Sequence, residues 1–134
     1  MGAGLLVLLV SMNRVEAMDR WAALSMLESG DKDDAVGPNG EVSRYQIKPA
    51  IWNATAPAHC DPTDARAALA VAQTVMEERR ATFENRFHHS PTDFEFYVLW
   101  NAPAQLIGTT DRVAITRPVA ARAQRFCNLV ASPP

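Results

Sequence analysis

The chain has 134 residues, 48% of them apolar, and carries 13 Lys plus Arg against 15 Asp plus Glu for a net charge of −2. That length suits one domain around one hydrophobic core, and the apolar share excludes a disordered polymer. With no excess of basic residues, nucleic acid is not an expected partner.

Residues 1–17 stand apart. Gly4 to Val10 reads GLLVLLV, an apolar run too short to span a bilayer. It is followed by a polar stretch ending Val15-Glu16-Ala17, a small-x-small pattern that signal peptidase accepts. No Lys or Arg precedes the apolar run, so two readings compete: an atypical or truncated export signal, and an ordinary buried segment. The export reading is preferred. It implies a mature domain of residues 18–134, located in the periplasm or secreted, with no stable membrane span.

From Trp21 the apolar positions recur at helical spacing. Trp21, Leu24 and Leu27 share a face with Glu28, so that carboxyl leaves the helix on the side that enters the core. Ser29-Gly30 stops the helix, glycine being suited to the left-handed residue after a last turn. A carboxyl at the apolar end of a helix is a candidate for a raised pKa and for general-acid chemistry at neutral pH. The competing reading is a boundary glutamate in water. Asp31 to Gly40 is polar and turn-rich, with Gly37-Pro38-Asn39-Gly40 a tight turn. Glu41 to Ile47 then leads to Lys48-Pro49-Ala50-Ile51-Trp52, where Trp52 is either core or a sugar-stacking platform.

Asp61-Pro62-Thr63-Asp64 has the capping Asp and early Pro of a helix start. The helix that follows carries a stripe from Ala65 through Ala68, Leu69, Ala72, Val75 and Met76 to Phe83 and Phe87. Glu77, Glu78, Arg79 and Arg80 read as its solvated face. Ser90-Pro91-Thr92-Asp93 is a second helix start, and Phe94 to Asn101 is apolar enough to be buried nearly all round. Pro103 ends or kinks that helix. Asp111 to Ile115 is a loop or short extended piece. Thr116-Arg117-Pro118 opens a last helix, with Val119, Ala123, Phe126, Cys127 and Val130 inward and Arg117, Arg122 and Arg125 outward. Ser132 to Pro134 is a frayed tail. Helix follows helix, so the fold class is all-α.

Cys60 and Cys127 are either a disulfide, as export would favour, or two buried thiols. Two cysteines without a Cys-x-x-Cys pattern make no zinc site, and His59, His88 and His89 lack an acidic partner at ligand spacing. No metal and no cofactor are expected.

Three motifs, in order, carry a resemblance: Glu28-Ser29-Gly30; Ser43-Arg44-Tyr45-Gln46-Ile47; and Leu99-Trp100-Asn101-Ala102-Pro103. The chain resembles the lysozyme-like superfamily, and within it the soluble lytic transglycosylases and goose-type lysozymes. Those proteins show E-S, then G-L-M-Q-I, then A-Y-N-A-G. The resemblance implies a single lysozyme-like domain, all-α apart from a small hairpin near the catalytic loop, acting on peptidoglycan glycan strands, and a monomer is expected. It implies cleavage of the β-1,4 bond between N-acetylmuramic acid and N-acetylglucosamine, with Glu28 as general acid and then base, giving 1,6-anhydro products. Ser43, Tyr45, Gln46, Trp100 and Asn101 would contact substrate, Gln46 by hydrogen bonds near the acid and Asn101 by orienting the active-site loop. Ser43 stands where the family has Gly, and Trp100 where it often has a Tyr holding the glutamate. In the goose-type relatives water attacks instead, positioned by loop aspartates. Here Asp31, Asp33, Asp34 and Glu41 are available, with Glu41 a possible second carboxylate or a plain surface acid. The competing functions are a hydrolytic lysozyme or chitinase-like glycosidase, and a non-catalytic glycan-binding domain.

Overall fold

The computed structural model describes residues 17–109 and 114–131. The export-signal reading of residues 1–17, most of the segment from Asp111 and the tail therefore lie outside the described residues, apart from Ala17, Ala114 and Ile115. Six helices make up the described fold: α1 (Arg20–Ser29), α2 (Pro49–Thr55), α3 (Ala65–Phe87), α4 (Asp93–Asn101), α5 (Ala104–Ile107) and α6 (Arg117–Val130). The chain is all-α as expected. Its only extended pairing among the described residues is a pair of isolated antiparallel bridges, Val36 with Val42 and Val42 with Ile47.

Three of the helices, α1, α3 and α4, begin where a side chain satisfies their first amide groups. Asp19 Oδ1 accepts from Trp21 N at 2.8 Å and Ala22 N at 2.9 Å, which fixes the start of α1. Gly30 ends it in the left-handed conformation (φ 65°, ψ 38°), donating its N–H to Met26 O. α3 starts at Ala65 and not at the first cap in its sequence: Asp64 accepts from Ala67 N at 2.8 Å. Asp61 closes a preceding turn through Thr63 N and Oγ1. Thr92 caps α4 by accepting from Glu95 N at 3.2 Å, and Pro103 caps the separate short helix α5.

α4 is the central element. Phe96, Tyr97, Val98, Leu99 and Trp100 are all buried, and α4 packs most extensively against α6. There the Phe96 and Phe126 rings stack at 5.6 Å and Tyr97 lies 5.5 Å from Phe126. α1 packs against α6, and its Trp21 ring meets Phe96 of α4 edge-on at 5.5 Å. Arg20 joins the starts of α1 and α4, its Nε donating to Asp93 Oδ1 at 2.7 Å and its guanidinium lying 5.0 Å from the Phe96 ring.

Between α1 and α2 the chain doubles back. Val42 and Ile47 exchange two backbone hydrogen bonds of 2.8 Å, enclosing Ser43 to Gln46. Closing so short a turn puts Ser43 at φ 69° and Gln46 at φ 53°, the left-handed region that costs a non-glycine residue about 1 kcal/mol. Ser43 recovers part of this by accepting from Tyr45 N through Oγ. Arg44 ties the turn to the preceding loop, donating to Asp33 Oδ1 at 2.7 Å. Asp31 in turn accepts from Ser25 Oγ of α1 at 2.5 Å.

Cys60 and Cys127 are free, half-buried thiols, so the disulfide weighed from sequence is not formed. Trp52, only 7% exposed, belongs to the core and is no platform for a sugar. No helix among the described residues is long and apolar enough to cross a membrane.

Candidate active site

Glu28 occupies the last turn of α1, and its side chain reaches Tyr97 of α4 and Arg122 of α6. Its side chain is 9% exposed. Two donors converge on one carboxyl oxygen: Tyr97 Oη at 2.7 Å and Arg122 Nη2 at 3.2 Å, both to Oε1. Arg122 Nε also donates to Tyr97 Oη at 2.7 Å, so the three groups close a ring of charge-assisted hydrogen bonds. Oε2 has no hydrogen-bond partner among the described residues and is not sealed from solvent. One oxygen is thus held and the other left available.

The physical state of the two donors follows from this ring. Burial pushes the Tyr97 phenol well above its ordinary pKa, and the neighbouring Glu28 carboxylate pushes the same way. Tyr97 is therefore a donor at any physiological pH. For Arg122, burial opposes the charge, but the bond to Tyr97 and the proximity of Glu28 outweigh it and raise the pKa.

Glu28 opens on a groove of about 440 Å³ that also receives Gln46, Trp100, Asn101 and Glu41. Residues from all three sequence motifs therefore meet in one place. Gln46 lies on the wall with its amide Nε2 donating to Ser43 O at 3.0 Å and Ala35 O at 3.3 Å, which braces the turn behind it. Asn101, just past the buried part of α4, is exposed on the groove. Among the described residues its amide has no hydrogen-bond partner, so it orients no loop and is open to a ligand. Glu41 accepts from Asn39 N at 2.9 Å and Asn39 Nδ2 at 3.3 Å. Backbone N–H donors hold its pKa below the usual carboxylate value, and Lys48 adds to this.

Four residues lie elsewhere than expected. Tyr45 and Ser43 do not reach the groove; they are 4% and 2% exposed. The Tyr45 ring packs edge-on against Trp21 at 6.0 Å and Trp100 at 6.5 Å, where its apolar area is better covered than in a wet cleft. Arg122 does not simply project into solvent: it lines the groove and turns to Glu28. Arg79 does not belong to the solvated face of α3: it lines the groove and donates from Nη1 to Leu99 O at 2.9 Å and Trp100 O at 2.8 Å. Arg80 does sit on that face, paired with Glu77 and Glu84.

Trp100 lines the groove, yet its ring N–H is committed to Tyr45 O at 3.2 Å and cannot hold the glutamate. The tyrosine that does so is Tyr97, one turn earlier on α4, a residue that looked like plain core. A buried phenol needs a hydrogen-bond partner, and that requirement was the available signal.

Comparison with family models, with curated proteins and with solved structures finds no match to this chain.

Proposed function

We propose that this domain cleaves the β-1,4 bond between N-acetylmuramic acid and N-acetylglucosamine in peptidoglycan, with Glu28 as the catalytic acid. The reading rests on one observation: Glu28, Gln46 and Asn101, drawn from three separate motifs, line a single groove with one oxygen of Glu28 unoccupied. In the reaction, protonated Glu28 gives its proton to the glycosidic oxygen as the C1–O bond breaks, and positive charge develops at C1. The carboxylate left behind then takes the proton of the muramyl 6-hydroxyl as that oxygen bonds to C1, which yields a 1,6-anhydro sugar and restores the acid. No water is consumed. Tyr97 and Arg122 keep Oε1 fixed throughout, and Asn101 supplies an amide to the sugar.

Glu41 supports a second version. A carboxylate in the same groove, kept ionised by backbone donors, is suited to orient a water for attack at C1. The outcome is then hydrolysis, as in a lysozyme or a chitinase-like glycosidase. Either version fits a protein acting in the periplasm or outside the cell. Mass analysis of a cell-wall digest tests both. Anhydro-muropeptides are lighter than hydrolysed ones by one water, so their presence supports the first version and their absence alongside hydrolysed fragments the second. No fragments from an intact, folded preparation would refute the glycosidase reading.

A further inference from the structure

Three basic side chains, Lys48, Arg79 and Arg122, and two acidic ones, Glu28 and Glu41, line the groove, so one positive charge is in excess when all are ionised. Arg122 meets Glu28 at 3.2 Å. Lys48 is exposed, its charge solvated, and it acts on Glu41 only at a distance. Arg79 is half-buried and has no carboxylate within ion-pair distance among the described residues, and both of its protein hydrogen bonds come from Nη1 to backbone carbonyls. Its Nη2 and Nε have no protein partner among the described residues and are not sealed from solvent. The guanidinium lies 5.7 Å from the Trp100 ring, which holds it in place beside the groove.

A guanidinium so placed is costly. Burial depresses its pKa, and only the adjacent Glu78 pulls the other way. Capping the end of α4 does not require a charge, since a neutral donor could serve two carbonyls. What a fixed guanidinium with an open edge does provide is a bidentate seat for a carboxylate.

We propose that Arg79 recognises a carboxylate carried on a substituent of the bound sugar, and so selects an acidic glycan over a neutral one of the same ring. The inference builds on the glycan reading above, but its test is a binding measurement that needs no turnover. The full chain is titrated, with NMR detection, with N-acetylmuramic acid, with its methyl ester, and with muramyl dipeptide. Wild type is expected to bind a free acid about 10- to 100-fold more tightly than the ester, the range for a lost charge-assisted hydrogen bond. Preference shown by N-acetylmuramic acid assigns the carboxylate to the ring substituent; preference confined to muramyl dipeptide assigns it to the peptide arm. Arg79→Gln should level acid and ester, while Arg79→Lys, which keeps the charge, should retain part of the preference. Equal affinity of wild type for all three, binding of none, or an undiminished preference in Arg79→Gln would overturn the proposal. The wild-type comparison holds even if Arg79→Gln fails to fold. Selectivity surviving in a protein that cleaves no cell wall would sink the glycosidase reading and leave this one standing.

Discussion

Tyr97→Phe removes one oxygen from the middle of the ring around Glu28 and changes the core volume hardly at all. That oxygen donates to Glu28 Oε1 and accepts from Arg122 Nε, both at 2.7 Å. Tyr97 is 0% exposed, so no water takes the vacated place. A hydrogen bond to a charged group contributes about 1.5–3 kcal/mol. The loss falls toward the lower end, because Arg122 still reaches Glu28 at 3.2 Å and its side chain, 39% exposed, can turn its freed N–H to solvent. About 1.5–2 kcal/mol is expected, which for a chain of this size lowers the melting temperature by about 5–8 °C. Urea unfolding should show the same loss with an unchanged m-value. Wall-cleaving activity should fall by about tenfold or more, since Glu28 keeps only one of two restraints. A cycle with Glu28→Gln should give a coupling of about 0.5–3 kcal/mol between positions 28 and 97. If Tyr97→Phe melted within about 1 °C of wild type and kept full activity, the ring would not be a functional unit.

Other consequences follow from the same geometry. A methyl group added at Gly37 would overlap Glu41 Oε2 and Gln46 Oε1, so Gly37→Ala should displace both groove side chains; activity should drop severalfold with a stability cost of about 1–3 kcal/mol, checked by paired kinetics and melting. Gly30 has open space around it but sits at φ 65°, so Gly30→Ala should cost about 1 kcal/mol through backbone strain alone, read in urea. The Tyr97 phenol has a folded pKa raised above its unfolded value of 10.0. Its contribution is therefore complete below pH 10.0 and lost as pH rises further, when the unfolded chain releases the proton and the folded chain does not. Stability followed to high pH should fall in wild type and fall less steeply in Tyr97→Phe, with Tyr45, also raised by burial, supplying what remains.

The parts of this site that were legible in the sequence are those written by local rules. The stop at Gly30, the start near Thr92 and the Pro118 helix opening all follow from caps and backbone preferences, and with them the all-α class. Placing Glu28 at the inner end of α1 needed only helical spacing. Arg122 was missed because charge was read as exposure, although it lies three residues after Val119 and four before Phe126, on the border of the buried stripe of α6. Arg79 was missed for the same reason, its neighbours Glu77, Glu78 and Arg80 being solvated. Long basic side chains bury their stems and deliver the head group some distance from the backbone, so helical position alone does not say where the charge ends up. Tyr45 failed in the opposite sense. Its motif match suggested a substrate contact, but the pairing of Val42 with Ile47 turns the ring inward onto Trp21. No local pattern distinguishes those two outcomes.

The most direct measurement is a cell-wall zymogram run with wild type and Glu28→Gln side by side, after circular dichroism has shown that both are folded. Clearing by wild type and none by Glu28→Gln is the predicted result. Equal clearing by the two proteins would contradict the role of Glu28 as the acid.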